Sequence, residues 1–156
     1  MIDINQLLIP AARIGDHGVL QELIRKKADL NTKDKKGYTA LIIACYNGQY
    51  TATKLLIAAG ADVNAADMGG NTALMGVAFK GYIDIALLLL QHGALTNLQH
   101  GNGGTALMFA AIFGHNKLVR LLLDHGADKY IEDINGNCAA DLAAIQGNAE
   151  GLKMLA

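Results

Sequence analysis

The chain has 156 residues, 52% hydrophobic and 17% charged, with no tryptophan and a formal net charge of −1. That length suits one domain able to bury a sizeable apolar core, and the near-neutral charge speaks against nucleic acid or acidic lipid as the main partner. The start, Met1 to Gln6, lacks the features of a secretory signal, and apolar runs such as Ile85–Leu90 are far too short to span a membrane, so a soluble, cytoplasmic monomer is expected.

Self-similarity organises the whole chain. Gly37, Gly70, Gly103 and Gly136 recur at a step of 33, as do Gly15, Gly48, Gly81, Gly114 and Gly147, and the Thr-Ala-Leu triplets at 39–41, 72–74 and 105–107. Five units result, 1–33, 34–66, 67–99, 100–132 and a shortened 133–156, within a single domain.

In the first unit Pro10 falls near the fourth position of the first helix and is expected to distort its start. Lys27 takes the slot held later by Gly60, Gly93 and Gly126, and Arg25, Lys26 and Lys27 give that helix a dipole-favoured end. The second unit opens with turn chemistry at Asp34–Tyr38. Thr39 follows as an N-cap, then a helix over Leu41–Asn47 closed by Gly48, then a second helix over Tyr50–Ala59 stopping at Gly60. In the third unit the helices are predicted at Leu74–Lys80 and Ile83–His92, closed by Gly81 and Gly93. In the fourth, His100 stands in the slot of Asp34, Asp67 and Asp133. Gly101 to Gly104 lack the Lys-Ser/Thr of a phosphate loop and are read as a flexible fingertip. In the fifth, Cys138 replaces the capping Thr, Asp141 sits in the first helical turn, and Gly151 falls in the second helix. Poorer capping and packing predict that residues 145–156 open before 74–90.

Helices this short are marginal alone, since isolated helices below about 12–15 residues hardly persist in water. The units must therefore stack into a solenoid, with Ala11, Ala44, Val77, Ala110 and Ala143 letting successive first helices approach closely.

No catalytic or metal-binding pattern emerges. Cys45 and Cys138 lie three repeat steps apart, about 25–30 Å at the usual 8–10 Å per helix layer, too far for a disulfide. His92 and His125 share one slot and read as helix C-terminal partners, His115 as a structural loop residue, and His17 and His100 have no nucleophile or ligand beside them. Neither an enzyme nor a cofactor is expected. Charge is uneven: residues 25–36 carry a net of +4 and residues 124–156 a net of −4.

A turn followed by two antiparallel helices in 33 residues, with Gly-Ala-Asp-Val-Asn at 60–64 and Thr-Ala-Leu-Met at 72–75, resembles the ankyrin-repeat family along the entire chain. Where the family has Thr-Pro-Leu-His, this chain has Thr-Ala-Leu-Ile or Thr-Ala-Leu-Met. Ile42, Met75 and Met108 are expected to make apolar contacts in place of the usual His. The resemblance implies an all-α solenoid with protruding turns or short hairpins, acting as an inhibitor, adaptor or scaffold that binds a partner protein on its concave face. It further implies that contacts come from the ends of the first helices and the turn tips. Here those are Tyr46, Asn47, Phe79, Lys80, Ile112, Phe113, Ile145 and Gln146, with Lys35, Lys36, Tyr38, Met68 and Asn71. Two other readings are open: a small-molecule or cofactor binder using the groove, and a nucleic-acid binder using the basic 25–36 stretch.

Overall fold

The structure is a computed structural model that describes residues 2–156. Five antiparallel helix pairs follow one another: α1 (Leu8–Ile14) and α2 (His17–Arg25), α3 (Ala40–Tyr46) and α4 (Tyr50–Ala58), α5 (Ala73–Lys80) and α6 (Ile83–Gln91), α7 (Ala106–Ile112) and α8 (Asn116–Asp124), α9 (Ala139–Ile145) and α10 (Ala149–Leu155). Each first helix packs on the next first helix, and the second helices form a parallel outer row. The column Ala11, Ala44, Val77, Ala110 and Ala143 is buried throughout; side chains this small let helix axes approach within the ordinary packing range.

The local grammar explains where helices begin. The hydroxyls of Thr39, Thr72 and Thr105 accept the N–H groups of Ile42, Met75 and Met108 at 3.2, 3.3 and 3.3 Å, satisfying one orphan donor per helix. Consequently α3 and α5 start one residue earlier than expected, at Ala40 and Ala73, directly after the capping threonine, and α7 likewise starts at Ala106. α5 ends at Lys80 as expected, whereas the expected ends of α3, α4 and α6 are one residue long: they close at Tyr46, Ala58 and Gln91. Ile42, Met75 and Met108 are buried in the core.

Turns between pairs project as fingers. Asp34 Oδ1 accepts the N–H groups of Lys36 and Tyr38, both at 2.9 Å, and Asp67 and Asp133 repeat the pattern. In the fourth finger His100 Nδ1 accepts the Asn102 N–H at 3.2 Å, so imidazole does the carboxylate's work. Adjacent fingers are joined tip to tip: Met68 N–H donates to the Lys36 carbonyl at 3.0 Å, Gly101 to Gly69 at 2.9 Å, and Ile134 to Asn102 at 3.0 Å. Gly37 has φ +80 there, and a Cβ would stand 2.7 Å from the Met68 nitrogen, so only glycine lets the fingers close.

A second polar ladder locks the loops that lead into the fingers. Asn31, Asn64 and Asn97 each accept, through Oδ1, a backbone N–H of the following unit, at Asp62, Leu95 and Asp128 (2.9, 2.8 and 2.8 Å). At the N-terminal end Asn5 supplies the same bond to Asp29 at 2.7 Å.

Both ends differ from the sequence reading. Pro10 does not distort α1. A 3₁₀ turn over Ile4–Leu7 precedes the helix, which starts at Leu8, so Pro10 falls in the first turn, where no intrahelical N–H is needed. At the far end Asp141 accepts the Cys138 N–H at 2.9 Å, and this bond holds the Asp141 carboxyl below its ordinary value. Its stabilising effect is present above the unfolded carboxyl pKa and is lost as pH falls through the depressed folded value. Asn148 caps α10 by accepting the Gly151 N–H at 3.0 Å, exchanges amide hydrogen bonds with Asn116, and donates to the Ala111 carbonyl at 2.9 Å. The last pair is thus better capped than expected.

Two outcomes follow from these ends. Lys27 holds φ +59, the one positive φ among non-glycine residues described; such strain costs about 1–2 kcal/mol, partly offset by the greater chain entropy of glycine. Lys27→Gly should therefore gain about 0.5–1 kcal/mol, read as a melting temperature higher by about 2 °C; a lower value would mean the strain is absent. Asn148→Ala should cost about 1–2 kcal/mol from the lost cap and interrepeat bonds. Hydrogen exchange in 149–155 should then accelerate while 74–90 stays protected, and unchanged exchange in 149–155 would show that apolar packing alone holds α10.

Candidate functional site

The inner ends of the first helices carry an aromatic row. Tyr46 and Phe79 occupy equivalent slots in α3 and α5, and stacking the helices brings their rings to 6.2 Å at an interplanar angle of 16°. Phe113 belongs to the next slot along, just past the end of α7, and meets Phe79 edge-on at 4.7 Å. Tyr46, Phe79 and Phe113 remain 42%, 37% and 48% exposed. The rings therefore pack on one another and still face solvent.

Beside this row lies a trough of about 470 Å³. Its floor is Ile42, Ile43, Met75 and Gly76, one wall is Tyr46, Asn47 and Phe79, and the other is the finger side with Tyr38, Asp67, Asn71 and Thr72. Arg13 and Phe109 stand at its two ends. The hollow has a sequence cause. The slot that holds Ile43 in α3 and Phe109 in α7 holds Gly76 in α5, so a side chain is missing midway. A Cβ at Gly76 would lie 3.5 Å from Tyr46 Cδ2, an ordinary contact, so the space itself does not require glycine.

Of the expected contact residues, Tyr38, Tyr46, Asn47, Asn71 and Phe79 converge on this trough. Lys80 joins it from the side, with Nζ 4.7 Å from the centroid of the Tyr46 ring, a cation–π contact. Phe113 extends the aromatic row. Ile112 instead lines a second, smaller depression of about 270 Å³ with His100, Phe109, Asp133 and Ile134. Met68, 79% exposed, sits out on its fingertip, and Ile145, 66% exposed, ends α9 away from both hollows. Three expected helix-end residues, Asn47, Phe113 and Gln146, are one step past their helices, as caps. Lys35 and Lys36 are exposed on the first finger.

Sequence reasoning missed Phe109, which forms a wall of both hollows, and Arg13. Phe109 was legible in principle, since it shares its slot with Ile43 and Gly76; its ring faces His100 at 5.3 Å. Arg13 gave no local signal.

Electrostatics in the trough are set by which charges are spent. Asp67 accepts the N–H groups of Gly69 and Asn71 and the Asn71 side-chain amide. Among the described residues the only ion pairs join Glu22 to Arg25, at 2.6 Å, and to Lys26, at 3.7 Å. Among the described residues, Arg13, Lys35, Lys36 and Lys80 therefore form no ion pair.

Four of the five histidines bond backbone groups. His92 and His125 donate Nδ1–H to the carbonyls of Leu88 and Leu121, both at 2.8 Å, which closes the ends of α6 and α8. His115 lies over Gly81 and donates from Nε2 to the Phe79 carbonyl at 3.0 Å, tying the aromatic row to the next pair. Gln49 and Asn148 occupy the same slot and donate to the Arg13 and Ala111 carbonyls of the preceding first helices. No group of three or more His, Cys, Asp or Glu converges as a metal site among the described residues, and no helix there is long and apolar enough to cross a membrane. Both cysteines are free. Burial pushes the Cys45 thiol up to about 12, against a partial offset from Thr53, so it holds almost no thiolate near neutrality. At pH 8 a thiol reagent should modify Cys138 alone in the native protein and both cysteines after denaturation. Modification of both at similar rates would mean that the α3 core opens readily.

A family model for ankyrin repeats (3 copies) matches residues 8–100 and again 94–156. A search of curated proteins finds no match.

Proposed function

We propose, on the premise that this chain belongs to the ankyrin-repeat family, that it is a non-catalytic inhibitor, adaptor or scaffold whose concave face binds a partner protein. Proteins built from these repeats are generally interaction modules. The observation that carries the reading for this chain is the Tyr46–Phe79–Phe113 row, half exposed beside an unfilled trough. Three adjoining, pre-stacked rings lose little freedom on binding, and aromatic anchors of this kind supply most of the energy in protein interfaces. Tyr38, Asn47, Asn71, Lys80, Met68, Ile112 and Ile145 would form its periphery.

Gly76 provides a test that separates binding from folding. Gly76→Leu fills the trough while replacing glycine by a better helix former, worth up to about 1 kcal/mol in a helix interior. The expected result is an unchanged or higher melting temperature with partner capture from cell lysate abolished. Tyr46→Ala and Phe79→Ala should each weaken capture by about 2 kcal/mol or more, roughly thirtyfold. Capture that survives all three variants moves the interface elsewhere on the molecule. The trough's volume also lies in the range of small-ligand pockets, about 300–1,000 Å³, which favours a small molecule as the second reading. A compound carried through purification and seen by native mass spectrometry, absent from Gly76→Leu, would establish it.

A further inference from the structure

We propose that the trough's occupant is an extended acidic protein segment carrying one large apolar side chain, Leu, Met or Phe, flanked by carboxylates. This rests on the reading of the trough as a protein-binding site and adds the chemistry of what binds there.

The apolar requirement comes from Gly76. Its missing side chain leaves a hollow floored by Ile42, Ile43 and Met75 and walled by Tyr46 and Phe79. Filling it with an aliphatic or aromatic group removes apolar surface from water on both sides.

The acidic requirement comes from charge complementarity. Arg13 lines one end of the trough, Lys80 sits against Tyr46, and Lys35 and Lys36 are exposed on the finger that carries Tyr38. None is paired with a carboxylate of the described chain. Two acids in reach, Asp67 and Asp34, keep their charge while accepting N–H groups of Gly69 and Asn71 and of Lys36 and Tyr38, and they offset only two of these four cations. The trough thus presents an apolar seat under a net positive potential. A segment with carboxylates on either side of its anchor neutralises it, whereas a basic segment is repelled.

Direction follows from the rest of the array. Glu132, Asp133 and Asp141 concentrate negative charge toward α9, and Asp133 lines the second hollow. The bound segment's carboxylates therefore lie toward α1–α5, and its continuation past Phe109 is neutral or basic. The same gradient disfavours a nucleic acid, whose phosphates would run from the cationic end into the acidic one.

The test is selection from a phage-displayed library of random linear peptides on the immobilised full chain, counter-selected against Gly76→Leu. Peptides that survive should share an apolar residue with at least two Asp or Glu nearby. A synthetic copy should bind about tenfold more weakly to Arg13→Gln/Lys80→Gln, and likewise to Lys35→Gln/Lys36→Gln. It should also weaken when salt rises from about 50 to about 500 mM, as screened charge contacts require. All these residues are exposed, so melting temperatures should hold and loss of fold is controlled. Surviving peptides that are neutral or basic overturn the acidic assignment while leaving the trough as a protein site. Enriched peptides that bind Gly76→Leu equally well, or no enrichment, overturn the trough reading as well. A single-stranded oligonucleotide that displaces the selected peptide at lower concentration overturns the choice of protein as occupant.

Discussion

None of the helices described exceeds nine residues, so each depends on the contact between consecutive first helices. That contact runs through Ala11, Ala44, Val77, Ala110 and Ala143. A larger side chain in this column would push the layers apart, and the interrepeat hydrogen bonds, which tolerate only a few tenths of an ångström, would fail with it. Burial of the column brings the helices together without fixing their register, because apolar contact is not directional.

Register is supplied by two polar ladders on opposite sides of the stack. On one side Asn31, Asn64 and Asn97 accept backbone N–H groups one unit ahead. On the other, Gln49, His115 and Asn148 reach back to carbonyls of the preceding first helix, while Tyr82 packs on Gly48 in the same slot. Each bond is worth only about 0.5–1.5 kcal/mol net, yet each is satisfied at a single axial offset. Fingertip pairing from Lys36 to Met68, Gly69 to Gly101 and Asn102 to Ile134 adds a third line. A stack restrained on three edges is stiff, and a stiff stack can hold exposed rings in place.

That stiffness turns a row of side chains into a shaped surface. Tyr46 and Phe79 lie in register because the helices beneath them do, and His115 holds the Phe79 backbone from behind. The trough is a local defect in an otherwise regular array: one glycine where neighbours have Ile43 and Phe109. The regular positions build the scaffold, and the irregular ones, Gly76, Phe113, Arg13 and Lys80, shape and charge the surface around the trough.

The sequence by itself determined the period, the helix pairing, the threonine caps and the buried small-residue column. These are local or strictly periodic, so they show in one dimension. It also placed Tyr46 and Phe79 on one face, since equivalent slots of stacked units face alike. It misjudged Pro10 and did not foresee the bonds at the far end, because these depend on particular side chains and not on the period: the 3₁₀ turn before Pro10, the Asp141 bond to the Cys138 N–H, and the Asn148 cap of α10. Only the tertiary structure decided that Phe113 meets Phe79 edge-on, that Phe109 walls both hollows, and that Arg13 closes the trough. Each joins residues from different units. Their distances depend on the rise and rotation between layers, and those are set by the packing of whole helices, which no single repeat encodes.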